Sequence, residues 1–401
     1  RYFLLAMAGN FILILAQDAV SFYFGFTLMS FASYGLIVFN RNTASVKAGL
    51  VYISLVILGE LILFSALLIA VSASGSTLFQ DIMPGMLKSP NLDLIIALVL
   101  IGFGLKAGIF GLHVWLPLAH PVAPAPASAV LSGSMIKAGV LGWIRFLPLG
   151  AISLPDLGSF IIILGLFTAF YGVIIGLTQR DPKTILAYSS ISQIGIITLS
   201  IGLGMKEPEM WPVILSGIAL YSLHHGLSKG ALFLGAGISG SQQHTQRVWI
   251  WVGLWLPALA MAGAPWTSGM MAKYFVKNYT LNTPAPWDAL LPLLLTGSSL
   301  ATALLMAKFL YLLRPSAQPY GSEPLKSLVV PWTSLLVIIA LLPWLSGYPF
   351  EGAINDQILQ SIWPILATLI ITIVVYRMQI FQTIKQIPAG DILVWIESTL
   401  R

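Results

Sequence analysis

The chain has 401 residues, of which 57% are hydrophobic and only 8% charged, and its mean hydropathy is +0.90. Soluble domains carry about 25% charged residues, so this composition excludes one. There is no cysteine, which removes cysteine-ligated iron–sulfur clusters, thiol catalysis and disulfides. The net charge is +6, but the basic residues sit at the ends of apolar runs or inside them. They form no patch for nucleic acid. Neither a dinucleotide fingerprint nor a phosphate loop occurs. No cofactor and no metal are therefore predicted, and any redox chemistry belongs on another subunit.

Taken in chain order, apolar runs of membrane-spanning length predict about twelve helices. They fall at 1–16, 19–39, 47–73, 93–116, 126–149, 157–178, 184–205, 211–239, 248–279, 288–313, 328–347 and 358–377. The alternating pattern of a membrane barrel is missing. Because Arg1 to Ala16 already read as a span, the natural sequence is expected to begin earlier. The connection 74–92 is the longest and is read as a loop. The mixed stretch 378–401 is expected along the membrane surface. Everything from 1 to 401 forms one integral-membrane domain. Loops holding Arg41, Lys47, Arg180, Lys183, Arg247, Arg314, Lys326, Arg377 and Lys385 are assigned to the cytoplasm; those opposite hold chiefly Lys88 and Lys206.

Lys106, Lys137, Lys229 and Lys273 stand inside these runs. An ammonium in hydrocarbon costs a few kcal/mol or more, so such residues face a bundle interior or a wet cavity and mark ion paths. Two spans read as broken, the fourth at Gly108 and Gly111 and the ninth at Gly263 and Pro265, since glycine and proline weaken helices. Freed backbone at that depth is tolerated inside protein or beside water. The breaks lie five spans apart, an odd offset that reverses direction. Residues 1–149 and 157–313 are thus expected to form inverted five-helix repeats, followed by C-terminal helices and a surface segment over 328–401.

The run Gly104-Leu-Lys106-Ala-Gly-Ile-Phe-Gly-Leu-His113-Val-Trp115-Leu-Pro117-Leu-Ala-His120 resembles the lysine-bearing helix of antiporter-like subunits. These occur in complex I, Mrp antiporters and formate-hydrogenlyase-type hydrogenases. The segments 123–139, Asp181-Pro-Lys183 through Gly195, and His225-Gly-Leu-Ser-Lys229 fit the same family. The resemblance covers most of residues 1–280 and implies two half-channels joined by buried ionisable groups. It assigns Lys106 to the first broken helix and Lys137 to the next helix. Lys229, with His225 one turn before it, becomes the central connection, and Lys273 takes the terminal position. Tyr221, His225 and Lys229 share one helix face. Lysine suits a relay because its proton affinity follows its surroundings, whereas arginine holds its proton.

The second span departs from the family: Thr27 stands where the resemblance expects a glutamate paired with Lys106. Glu60, deep in the third span, is read as the displaced partner. The alternative is that the site has lost pumping and the chain scaffolds a complex. Lys137 and Lys273 can also snorkel to the interface. His224 is read as a packing or hydrogen-bonding residue, and His113 and His120 as possible interface residues.

The favoured reading is a proton-translocating subunit of a redox-driven complex in a bacterial inner membrane. It would contact lipid, other membrane subunits and cytoplasmic redox or carbon-capturing subunits. An Mrp-type cation/proton antiporter and a non-pumping subunit serving a partner such as an inorganic-carbon uptake protein are the rivals.

Overall fold

Inside a bilayer the backbone cannot bond to solvent, so each apolar run must close its own hydrogen bonds as a helix. The computed structural model describes residues 1–239, 244–315, 326–345, 354–378 and 385–394. Its first half holds α1 (Tyr2–Leu15), α2 (Ala19–Ile37), α3 (Thr43–Ser74), α4 (Phe79–Leu87), α5 (Leu92–Ala107) and α6 (Trp115–Val122). Next come α7 (Ala125–Val130), a π-helical turn (Leu131–Met135) and α8 (Lys137–Phe146). The second half holds α9 (Pro155–Thr178), α10 (Pro182–Lys206), α11 (Trp211–Ser239), α12 (His244–Ala262), α13 (Ser268–Thr280) and α14 (Trp287–Leu312). Then α15 (Val329–Leu345) and α16 (Ile354–Arg377) follow. An isolated bridge between Asp18 and Leu78 ties the α1–α2 turn to the start of α4.

Local chemistry sets the ends. Asp18, Asn42, Asp181 and Thr267 each accept a backbone N–H of the first turn that follows, as N-caps do. Gly75 and Gly108, at φ 68° and 80°, close α3 and α5 in the left-handed region, where a side chain would be strained. Among the described residues, 7 helices are long and apolar enough to cross a membrane by length and composition, with Ala125–Phe146 counted as one. The expected spans at 93–116 and 248–279 fall outside that set because each is split in two. The 29-residue α11 is long enough but less apolar, since it carries His224, His225 and Lys229.

One expectation needs correction: the 74–92 loop contains α4, a short helix that buries Ile82 and Met86. The fifth span is one helical stretch whose middle takes a π turn, where Gly133 meets the backbone of Gly226 on α11. The described part of the C-terminal stretch, 385–394, packs on the bundle, with Asp391 8% exposed.

Small residues let helices touch at the backbone. A Cβ on Gly9 of α1 would lie 2.5 Å from Met29 N and 2.7 Å from Gly25 O of α2. The same device joins α9 to α10: a Cβ on Gly195 would lie 2.5 Å from both Ala169 N and Gly165 O. This close packing suits a membrane interior, where van der Waals contact replaces the hydrophobic drive between helices. The most apolar window of α10 is 100% buried, so it is the axis of the second half. Phe160, Ile163, Phe167 and Ile174 of α9 stay exposed, as lipid-facing residues do.

Gly195→Ala is therefore expected to force α9 from α10 at a cost of about 1–3 kcal/mol and to lower the thermal midpoint in detergent. Gly297→Ala, whose Cβ would meet nothing closer than 3.8 Å, should leave that midpoint unchanged or raise it.

Candidate ion-translocation site

Lys106 stands one residue from the end of α5, two before the hinge glycine Gly108, and is 5% exposed. Its Nζ donates to Ser30 Oγ at 3.2 Å and to Tyr52 OH at 3.1 Å. The rings of Phe26, Tyr52 and Trp115 surround it with centroids 5.5–6.0 Å away, near enough for cation–π attraction. Trp115 Nε1 donates to Leu105 O at 2.9 Å, so the first residue of α6 is strapped to the last turn of α5 across the break.

Glu60 of α3 is 5% exposed, and its Oε2 accepts a 2.7 Å hydrogen bond from Thr27 Oγ1. The carboxylate of one helix thus reaches the hydroxyl that stands where the family resemblance expects a carboxylate. Among the described residues no direct hydrogen bond or ion pair joins Glu60 to Lys106, and Glu60 Oε1 has no partner. Both line one cavity of about 20 Å³, which has room for roughly one water. The two residues share a cavity without touching.

A row of buried polar groups lies between the next two lysines, joined at Ser132, whose carbonyl takes Lys137 and whose hydroxyl meets Ser190. Lys137 Nζ donates to Ser132 O at 2.6 Å, inside the π turn. Ser132 Oγ lies 2.6 Å from Ser190 Oγ of α10. Ser190 Oγ donates to Leu186 O at 3.0 Å, and Lys229 Nζ reaches the same carbonyl at 2.8 Å. Lys229 is 0% exposed. Ser132 and Ser190 were not singled out from the sequence, because buried serines in small-residue stretches carry no distinguishing mark.

Beyond Lys229 the α11 face continues through His225 to Tyr221, whose OH donates to Gln193 Oε1 at 2.6 Å. Among the described residues neither ring nitrogen of His225 has a hydrogen-bond partner. The second break runs from Gly263 (φ 84°) to the N-cap Thr267. Lys273 of α13 reaches back across it to Ala262 O at 3.1 Å, the last residue of α12. A cavity of about 60 Å³ is lined by Tyr221, Lys273, Lys277, Ser298, Gln357 and Gln360, among others. That is space for roughly four waters. Lys137 and Lys273 are half-buried with Nζ on protein carbonyls, so neither extends to the interface. His224 bonds Ser268 Oγ at 2.9 Å, a hydrogen-bonding role that links α11 to the second break.

His113 and His120 are both 0% exposed, so burial in protein replaces the interfacial placement. His120 stacks on Phe233. His113 Nε2 lies 3.2 Å from Asp391 Oδ2, which also accepts from Tyr188 OH at 2.7 Å. Burial alone pushes the Asp391 carboxyl up; hydrogen bonds from His113, Ile392 N–H and Tyr188 outweigh it and hold it below the ordinary carboxylate value.

The serine bridge is directly testable. Ser190→Ala removes the acceptor for Ser132 and should cost about 1 kcal/mol, read as a lower thermal midpoint. Its neighbour Ser189 has a buried hydroxyl without a partner among the described residues; Ser189→Ala should be neutral or stabilising.

Residues 16–301 match the transmembrane family described as NADH:quinone oxidoreductase/Mrp antiporter. The chain is 31% identical over 288 residues to hydrogenase-4 component B of Escherichia coli (strain K12), covering 67% of this chain and 43% of that relative. It is 31% identical over 297 residues to the putative antiporter subunit mnhA2 of Staphylococcus saprophyticus, covering 68% and 37%. The chain thus spans less than half the length of these relatives. Among solved structures, the Mrp complex from Dietzia sp. DQ12-45-1b aligns with TM-score 0.74 and 25% identity, over 90% of this chain and 40% of that one. The archaeal membrane-bound sulfane sulfur reductase shares the fold, with TM-score 0.74 and 24% identity over 94% of this chain and 68% of that one. With lysines buried at broken helices and a family match over most of its length, this chain belongs to the NADH:quinone oxidoreductase/Mrp antiporter transmembrane family.

Proposed function

We propose that this chain moves protons across a bacterial cytoplasmic membrane, as the antiporter-like subunit of a larger redox-driven complex. The observation that carries the reading is the row of buried polar groups from Lys137 through Ser132, Ser190 and Leu186 O to Lys229, in which the two hydroxyls can both accept and donate. It continues along His225 and Tyr221 to the cavity that holds Lys273. Lys106, beside the first break, stands at the head of the line. Residues 1–149 and 157–313 act as inverted halves, and the glycine-packed pairs α1–α2 and α9–α10 support that reading as their opening helices.

The switch is the Lys106–Glu60 cavity. When the carboxylate and ammonium approach, directly or through a water, their attraction keeps a proton on Lys106. When they separate, the ammonium loses its counter-charge at a depth where charge is costly, and its proton is handed on toward Lys137. The hydrogen bond from Thr27 supports Glu60 as the displaced family carboxylate, since it holds Glu60 against the vacated position. The 60 Å³ cavity beside Lys273 provides the wet outlet.

A cation/proton antiporter of Mrp type is the second reading, favoured by the identity to mnhA2 antiporter subunits. Sodium-dependent proton flux without redox substrate would select it. Other membrane subunits are the expected partners on either reading, with cytoplasmic redox or carbon-capturing subunits alongside.

The deciding measurement is proton uptake in vesicles carrying the full complex. Glu60→Gln and Glu60→Thr should each lower uptake by about tenfold or more, the equivalent of about 1.4 kcal/mol in the barrier, with the complex still assembled. The exchange Thr27→Glu with Glu60→Thr should restore much of it. Unchanged uptake in both single variants would leave the pair structural and favour a coupling scaffold.

A further inference from the structure

Outside the lysine line, the clearest built contact belongs to the C-terminal segment. Residues 385–394 follow α16 in sequence yet are bound to elements much earlier in the chain. Gln179 Nε2, at the end of α9, donates to Ile387 O at 2.9 Å. Gly390, at φ 85°, presses on the Leu118 side chain of α6, where a Cβ would lie 3.1 Å from Leu118 Cδ2. That glycine turns the chain so that Asp391 enters the bundle. There its Oδ2 meets both His113 and Tyr188 of α10, and all three side chains are buried.

His113 is no ordinary anchor. It lies between the left-handed glycines Gly108 and Gly111 and the start of α6. Two residues on, Trp115 spans the break to Leu105 O and covers Lys106. The route from Asp391 to the Lys106 cage is therefore one side-chain hydrogen bond, two peptide units and one indole hydrogen bond. Phe110 and Tyr171 pack on the His113 ring at 6.0 and 5.3 Å, which leaves it little freedom to turn. A segment that served only to cover the bundle would not need to bury a carboxylate, which is costly unless its bonds are made.

We propose that Asp391 is a positioning residue: by holding His113, it fixes the first helix break and, through Trp115, the place of Lys106 over its cavity. The C-terminal segment acts as a latch on the hinge, with Asp391–His113–Tyr188 as its catch. This rests on the transport reading only for its consequence, and its geometry can be tested apart from transport.

The test uses the full complex with a reporter, Leu55→Cys, in the wall of the Lys106 cavity. This chain has no other cysteine, so labelling by a small membrane-permeant thiol reagent can be read on it by mass spectrometry. Asp391→Asn and His113→Gln should each assemble and each change the labelling rate by about tenfold, the scale of a lost charge-assisted hydrogen bond. Proton uptake should fall in parallel. The double variant should do no more than either single one, because the two residues act as one contact. Unchanged labelling in both singles, or effects that simply add, would overturn the proposal. Loss of assembly in both would overturn it too, since the contact would then hold the fold and not the hinge. If labelling responds as expected while even the parent complex takes up no protons, the latch stands and the transport reading falls.

Discussion

A lysine ammonium inside a membrane needs acceptors that water would otherwise supply, and in this chain they are largely backbone carbonyls near helix irregularities. Lys137 bonds the carbonyl of Ser132 in the π turn, and Lys273 that of Ala262 at the end of α12. Lys308 bonds Leu177, one residue from the end of α9; Lys183, at the end of α10 assigned to the cytoplasm, bonds Ala123, the C-cap of α6, in the same way. The last turn of a helix leaves carbonyls without intrahelical partners and carries the negative end of its dipole. Breaking a helix therefore does two things at once: it creates an acceptor, and the lysine that uses it satisfies the break. The lysines and the irregularities stabilise each other, so neither is a tolerated defect.

That mutual dependence explains where the site lies. The π turn adopts its extra-residue geometry where Gly133 comes against the Gly226 backbone, which also brings Lys137 toward α10 and α11. The all-buried α10 supplies Leu186 and Ser190 between Lys137 and Lys229 because its small residues let α9 approach on one side. Packing and relay are the same construction at this point. A larger side chain along α10 would separate the hydroxyls as surely as it would separate the helices.

Much of this was legible in the sequence, for identifiable reasons. Glycine beside a lysine in Lys106-Ala-Gly108, and Gly263-Ala-Pro265 followed in the next helix by Lys273, signal both a break and the charge that completes it. The face Tyr221, His225, Lys229 follows from helical spacing alone. The π turn did not show, because its own Gly133 matters only through the approach of Gly226 from another helix. Nor did α4, whose apolar side is short and whose stretch carries Asp81, Pro84 and Gly85. The serine bridge was invisible because only tertiary approach distinguishes Ser132 and Ser190 from other serines. Asp391 was hidden in the same way, by a sequence separation of 278 residues from His113. Glu60 was found as an acid in an apolar run, but its contact with Thr27 in place of Lys106 depends on how α2 and α3 face each other.

Lys106 differs from the other relay lysines in one respect that bears on coupling. Its acceptors are the hydroxyls of Ser30 and Tyr52, near a carboxylate with one oxygen unbonded, and not a carbonyl. A carbonyl is a fixed dipole, so a lysine resting on one meets nearly the same field whatever its neighbours do. Hydroxyls can rotate, exchange donor for acceptor, or admit a water, and a carboxylate side chain can change rotamer. On the proposed mechanism, only such a set can give the ammonium two distinct environments without moving a helix. The carbonyl-bound lysines then conduct, and the hydroxyl-bound one decides. On the proposed latch it is also the lysine whose break is held by the C-terminal segment, through His113 and Asp391, so a partner acting on that segment would reach the relay at the point where it can be switched.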